Sequence, residues 1–283
     1  MSELKLENIG PLELEKGGVI ENCNLGYRVS GELNPDRSNI LVFPTWFGGT
    51  TQAMIDLQVL KSGMYADPDR YHVVAIDALG NGVSSSPSLY AGNRMPEITI
   101  GDMVNSQHKL LTEVLGFDHV DTLLGISMGG MQVYEWITAY PEFADNAVVV
   151  VGTPKPSAAD IYLWNFWREL AVALCEMPDG ERRANRMMAQ AEGLAVFTPA
   201  FINASCGDGD PQVLRDQAFT DHSVLNTYNE IAQLQAMLSH DISRNHGGDL
   251  AQASAKIRAR LLTVTSRQDL TVSPGRPTQF ALD

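Results

Sequence analysis

The chain has 283 residues, of which 44% are hydrophobic and 19% are charged, a composition that predicts a globular protein with one large core. Its formal net charge is −14, from 34 acidic and 20 basic residues. Such an acidic chain repels phosphate backbones and anionic lipid, so we expect small-molecule partners and neither nucleic acid nor a membrane surface.

Cysteine usage and the apolar stretches bear on the compartment. Cys23, Cys175 and Cys206 are too few and too widely spaced for a disulfide framework, and no histidine or cysteine pair has metal-ligand spacing, so we expect free thiols and no metal site. The first ten residues contain no apolar run, and the longest apolar stretch, residues 147–152, is far too short to span a bilayer. The predicted location is the cytoplasm.

Short β-rich runs alternate with helical segments along the chain. Residues 11–33 lack helical signals and predict an antiparallel entry to a sheet. The runs that follow predict strands at 40–43, 72–77, 122–126, 147–151 and 260–265, with helices at 99–115 and 128–140. Continuous apolar strands separated by helices indicate the α/β class, with a mostly parallel sheet covered by helices on both faces.

The segment 154–240 interrupts this alternation, because it is rich in helix signals and contains Trp164 and Trp167. We predict a helical cap here, inserted after the strand at 147–151. It would lie over the carboxyl edge of the sheet, where open α/β sheets bind their ligands. The core would then comprise residues 1–153 and 241–283. The alternative is a set of ordinary surface helices.

Residues 125–129 form a G-x-S-x-G motif centred on Ser127, directly after an apolar strand and directly before an amphipathic helix. A nucleophilic serine on a sharp strand-to-helix turn needs this placement. Gly125 and Gly129 would let strand and helix approach closely, and the positive end of the helix would favour an anionic intermediate. The motif predicts an acyl-transfer nucleophile; a plain Gly-Ser turn is the alternative.

An oxyanion hole for such a nucleophile needs two backbone N–H donors. Met128, the residue after the serine, is one candidate. The other is expected from the loop after the 40–43 strand, residues 44–50 (PTWFGGT), where we predict Trp46 as the donor. An ordinary turn is the alternative reading of this loop.

The acid of a serine triad is expected after a late strand, and Asp269 has that position. A surface carboxylate is the alternative. The six histidines all precede Asp269, so none has the expected chain order, and only 14 residues follow it. We expect a core that is incomplete at its carboxyl end, with the histidine supplied by a segment that would follow residue 283.

Two runs, residues 98–104 (ITIGDMV) and 124–132 (LGISMGGMQ), are followed by Glu135 and Trp136. In these runs the sequence most strongly resembles the homoserine O-acetyltransferase family, whose members have the α/β-hydrolase fold. The likeness resumes at 248–250 and 257–260 and in the strand before Asp269, so it covers about residues 20–275.

The resemblance implies a reaction as well as a fold. In that family the serine takes an acetyl group from acetyl-CoA and passes it to the hydroxyl of homoserine. By resemblance, Ser127 is the nucleophile and Asp269 the triad acid, with acetyl-CoA as a co-substrate rather than a bound cofactor. A homodimer is a further expectation.

The sequence also departs from the family pattern. Residues 44–48 (PTWFG) stand where the family has a run like His-Ala-Leu-Thr-Gly, and Ile126 stands where a second glycine is usual. The family's terminal Gly-His-Asp has no match. We expect a divergent member.

Three functions remain open at this stage. The first is an acyltransferase that acylates Ser127 and then a bound alcohol, such as homoserine. The second is an esterase on the same scaffold, with water as the acceptor. The third is a binding protein that has the serine turn without catalysis.

Overall fold

A seven-stranded sheet forms the centre of the computed structural model, which describes residues 3–207, 209, 211–212 and 226–282. The strand order is β1-β4-β6-β5-β7-β8-β9, and β2 and β3 form a separate hairpin. In chain order the strands are β1 (Lys5–Asn8), β2 (Leu12–Glu13), β3 (Val19–Ile20), β4 (Asn24–Ser30), β5 (Ile40–Pro44), β6 (His72–Ile76), β7 (Val120–Ile126), β8 (Ala144–Val150) and β9 (Arg260–Val264).

The five predicted strands and the antiparallel entry are confirmed. β5 to β9 pair in parallel, whereas β4 is antiparallel to both β1 and β6. Strand β1 was not predicted, because its residues are mostly exposed at the edge of the sheet and leave no apolar pattern. The chain therefore has the predicted α/β fold with a mostly parallel sheet.

Nine α-helices lie within the described residues. They are α1 (Thr51–Asp56), α2 (Ile100–Lys109), α3 (Met128–Ala139), α4 (Ala158–Cys175), α5 (Gly180–Val196), α6 (Pro199–Cys206), α7 (Thr227–Leu238), α8 (Leu250–Ser254) and α9 (Gly275–Leu282). A π-helical turn, Leu110–Val114, extends α2, so the predicted helix at 99–115 has nearly the expected length. Thr99 begins it with a capping box to Asp102, which satisfies two otherwise unpaired amides.

The two faces of the sheet bury different amounts of apolar surface. A large core contains one face together with α2, α3 and α9. A smaller core on the other face contains α1 and the chain that follows it. Alternate residues of each strand contribute to the two cores, as the two-residue period of a strand requires.

Helices α4 to α7 occupy the segment predicted as a cap, between β8 and β9. α4 packs against α5 and α7, and α7 contacts the short helical turn Pro87–Leu89 that follows β6. The assignment of 154–240 as a separate cap stays a prediction. None of the helices in the described ranges combines the length and the apolar composition needed to cross a bilayer.

Candidate active site

Ser127 is the single residue between β7 and α3. Its backbone has φ 54° and ψ −120°, a strained conformation that costs a non-glycine residue about 1–3 kcal/mol. The Ser127 amide donates to Val150 O at 2.9 Å, and the Met131 amide donates to Ser127 O at 3.1 Å. Its hydroxyl makes no capping hydrogen bond to α3. Among the described residues the hydroxyl has no hydrogen-bond partner, so the turn presents it free at a helix N-terminus.

The glycines on either side of Ser127 are required by the packing. A Cβ at Gly125 would lie 2.1 Å from Gly129 O, and a Cβ at Gly129 would lie 2.8 Å from Pro44 O. Both contacts are with backbone, which cannot move aside as a flexible side chain does. Strand β7, helix α3 and the end of β5 therefore meet at distances that only glycine permits.

The loop after β5 turns at residues 46–49, where the Gly49 amide donates to Trp46 O at 2.9 Å. The indole of Trp46 packs over Gly49 and tilts against Phe43. Among the described residues, the backbone N–H groups of Trp46 and Met128 have no hydrogen-bond acceptor. These are the two amides that the sequence predicted as oxyanion donors.

Two buried glutamines, Gln132 and Gln233, hydrogen-bond to this loop, and a third, Gln107, supports Gln132; no sequence motif predicted a role for them. Gln132 of α3 donates to Thr45 O at 3.0 Å, and its own Oε1 accepts from Gln107 of α2 at 2.6 Å. Gln233 of α7 accepts from the Gly48 amide at 2.9 Å and donates to Leu79 O at 3.1 Å. The sequence did contain one indication of this network: Gln107 falls on the core-facing side of an amphipathic helix. A side-chain amide buried there needs hydrogen-bond partners.

Asp77, at the end of β6, anchors the far side of the same loop. Its carboxylate accepts from the Thr51 amide and hydroxyl, both at 2.8 Å, and from Asn81 Nδ2 at 2.8 Å. Asn81 Nδ2 also donates to Gly49 O at 3.0 Å. Burial raises the pKa of the Asp77 carboxyl above its usual value, although these hydrogen bonds oppose the rise. Asp77 is thus a structural anchor and not a solvent-facing acid.

Asp269 lies in the loop after β9 and is half-buried, and its role as a triad acid stays a prediction. One carboxylate oxygen accepts from the amides of Thr271 at 2.8 Å and Val272 at 2.9 Å. The loop is tied to α4, because Trp164 Nε1 donates to Thr271 O at 3.1 Å. The second carboxylate oxygen has no donor among the described residues and is free to accept one.

The described part of the chain brings no histidine to Ser127 or Asp269 by a hydrogen bond. Four rings lie elsewhere: His72 at the amino end of β6, His108 inside α2, His119 before β7 and His246 in the turn before α8. His222, placed in the predicted cap, lies outside the described residues.

His240 is the fifth described histidine, and it is fully buried beside α3. Its Nδ1 lies 4.0 Å from Glu135 Oε2, and neither ring nitrogen has a hydrogen-bond partner in the described ranges. Burial, and then the charge of Arg244, lower the pKa of His240 to about 3. A ring so reluctant to take a proton is a poor general base.

Comparison with known proteins places the site in a family. Residues 40–274 match the family model described as alpha/beta hydrolase fold. The chain is 31% identical over 281 residues to ethyl acetate hydrolase from Pseudomonas veronii, covering 94% of this chain and 80% of that protein.

Two further relatives are informative. A homoserine O-acetyltransferase from Caulobacter vibrioides is 30% identical over 294 residues, covering 88% of this chain and 75% of that protein. The crystal structure of an acetylester hydrolase from Corynebacterium glutamicum superposes with a TM-score of 0.91 at 28% identity, covering 98% of this chain and 84% of that one. The resemblance to the acetyltransferases therefore holds within a wider group that includes acetyl ester hydrolases.

Proposed function

Since the chain belongs to the α/β-hydrolase fold family, we propose that it hydrolyses small acetate esters with Ser127 as the nucleophile. The observation that carries this proposal is the strained backbone of Ser127 between β7 and α3, with its hydroxyl making no capping hydrogen bond to α3. A serine on such a turn suits acyl transfer or ester hydrolysis. Acetate esters are favoured because two relatives that match more than nine tenths of this chain are an ethyl acetate hydrolase and an acetylester hydrolase.

The proposed reaction has two halves. Ser127 Oγ loses its proton to a base and attacks the ester carbonyl, and the resulting oxyanion accepts from the amides of Met128 and Trp46. The alcohol leaves with that proton, and an acetyl group stays on Ser127. Water then attacks the acetyl-enzyme and loses a proton to the same base; the bond from the acetyl carbon to Ser127 Oγ breaks, the base returns that proton to Oγ, and acetate is released. Asp269 would accept from the base through its free carboxylate oxygen.

A second candidate is acetyl transfer from acetyl-CoA to homoserine. It is supported by the sequence match around Ser127 and by the similar acetyltransferase. The two reactions share the acetyl-enzyme and differ in the acceptor that releases the acetyl group. Transfer requires a site that excludes water and orients an alcohol beside the acetyl group.

The experiment uses the full-length protein with two acetyl donors. With ethyl acetate as the donor, we expect acetate release that does not depend on homoserine. With acetyl-CoA as the donor, we expect little thiol release even when homoserine is present. Thiol release that requires homoserine, with ethyl acetate untouched, would establish the transferase instead. No turnover of either donor would favour the binding protein. Ser127→Ala is the control that assigns any turnover to this site.

A further inference from the structure

The peptide group between Thr45 and Trp46 carries one proposed oxyanion donor, the Trp46 N–H. A trans peptide is planar, so its C=O and N–H point in opposite directions. Gln132 Nε2 donates to Thr45 O at 3.0 Å. The hydrogen bond that Gln132 makes to the carbonyl therefore fixes the direction of the Trp46 N–H at the other end of the same group.

The orientation of the Gln132 amide is itself determined by its neighbours. Trp136 Nε1 can only donate, and it donates to Gln107 Oε1 at 2.9 Å. The Gln107 nitrogen is then the donor to Gln132 Oε1, at 2.6 Å. This leaves the Gln132 nitrogen facing Thr45 O. The direction of every hydrogen bond in this series follows from the Trp136 Nε1–H, which can only donate. Turning either amide around would place two donors against each other.

The same side chain also contacts the element that carries the second donor. Gln132 Nε2 lies 3.3 Å from Met128 O, one turn earlier on α3. The side chains of Gln132, Gln107 and Trp136 are all fully buried, so water cannot substitute for a lost hydrogen bond without opening the core. Gln132 therefore joins the loop after β5 to the helix that begins at the nucleophile.

We propose that Gln132 is a positioning residue of the oxyanion hole, oriented by Gln107 and Trp136. It sets the direction of the Trp46 N–H before substrate binds. The proposal rests on the proposed function, because it assumes that Trp46 stabilises an oxyanion formed at Ser127. Gln132 does not touch the substrate; its effect reaches the reaction through the Thr45–Trp46 peptide.

The test replaces the amide with an apolar side chain of similar length, Gln132→Met, and measures hydrolysis of p-nitrophenyl acetate by the full-length protein. We expect kcat to fall about 10- to 100-fold, less than the ~10²- to 10³-fold that follows removal of an oxyanion donor, with KM nearly unchanged. The affinity for trifluoroacetone, which adds to a serine as a tetrahedral oxyanion, should fall in parallel. Inhibition by the product acetate should not change.

Val133→Ala is the matched control, because Val133 is the next residue of α3 and is also fully buried. It should lower the melting temperature while leaving kcat within about twofold, since a valine side chain has no group that could hydrogen-bond to the loop. A second variant, Gln107→Met, leaves the bond to Thr45 in place and frees Gln132 Oε1. It should lower kcat about 3- to 10-fold, the effect of one hydrogen bond.

The outcomes separate this proposal from the proposed function. Turnover that survives Ser127→Ala would remove the proposed nucleophile and the oxyanion hole with it. Turnover that requires Ser127 but is unaffected by Gln132→Met would overturn the positioning role alone. If kcat falls as much in Val133→Ala as in Gln132→Met, the loss in both variants is explained by lower stability and not by the position of the Trp46 N–H. If Gln132→Met does not fold, unchanged kcat and trifluoroacetone affinity in Gln107→Met would contradict the proposal.

Discussion

The two residues proposed for the chemistry are held in different ways. Ser127 follows a central strand, β7, and is fixed by β8, by α3 and by the end of β5, which meet at backbone contact distance. Asp269 follows β9, the last strand of the described sheet, and among the described residues its carboxylate accepts from two amides of its own loop. That loop is held to α4 by Trp164 Nε1, which donates to Thr271 O. The nucleophile is therefore positioned by close backbone contacts among several core elements, and the acid by a loop that hydrogen bonds attach to one helix, α4.

The largest effect that this comparison predicts is on turnover. Ser127→Ala should lower kcat about 10⁴- to 10⁶-fold, and Asp269→Ala about 10²- to 10⁴-fold, because the acid orients a base whereas the serine forms the bond. The measurement is p-nitrophenyl acetate hydrolysis, together with labelling by a fluorophosphonate. The Ala variant at 127 should not be labelled.

Asp249→Ala is the matched control for the acid. Asp249 also accepts an amide two residues ahead, from Ala251 at 2.9 Å, but it caps α8. Its loss should cost about 1 kcal/mol of stability and leave the rate unchanged. Asp249→Ala and Asp269→Ala with equal rates would show that Asp269 is an ordinary turn residue.

The next effect is on the free energy of unfolding, through the close contact of β7 and α3 beside Ser127. In Gly125→Ala the new Cβ would lie 2.1 Å from Gly129 O, so strand and helix must separate. We expect a loss of about 3 kcal/mol or more in the free energy of unfolding, measured in urea. Gly193 lies inside α5, where a new Cβ would be 4.0 Å from Phe197 Cδ2, the nearest atom. Gly193→Ala should therefore stabilise the protein by up to about 1 kcal/mol. Similar values for both variants would contradict the tight junction.

This contrast also explains what the sequence could predict. The turn at Ser127 is local, so a five-residue motif between a strand and a helix was enough to place it. The acid was placed by chain order alone, and its role stays a prediction. Gln107 and Gln132 are 25 positions apart and meet only because α2 packs on α3, so no local pattern linked them. Propensity and periodicity report neighbours along the chain and not partners across it.

A third effect concerns the dependence of stability on pH, which reports the free-energy cost of burying the imidazole of His240. The pKa of His240 falls to about 3 when the chain folds, below its usual value of about 6.5. At pH 5 the unfolded chain binds this proton and the folded chain does not. Stability is therefore complete above pH ~6.5 and is lost as the pH falls towards 3, by about 2 kcal/mol at pH 5.

The measurement is urea unfolding of the wild type and His240→Leu at pH 7 and pH 5. The leucine variant should lose less stability on acidification, since both proteins share the same carboxylates. An identical pH dependence in the two proteins would mean that the ring takes up its proton without unfolding. Such a result would also reopen the possibility that His240 acts as a base.

The smallest effect is expected at the sheet margin, on the face opposite α9. Leu262 and Val264 of β9 are 56% and 43% exposed, and they line an open groove of about 820 Å³ with Val148 and Val150 of β8. Because they bury little among the described residues, the double variant Leu262→Thr with Val264→Thr should change the free energy of unfolding by less than about 1 kcal/mol. Leu261→Thr, one residue away but packed on the larger core, should cost more.

The double variant should also bind less of a hydrophobic dye and associate less at high concentration, since apolar patches on sheet edges promote both. If the double variant instead destabilises the full-length protein as much as Leu261→Thr, this face is covered, by residues outside the described ranges or by a second copy. The acid end of the site would then be as firmly supported as the nucleophile.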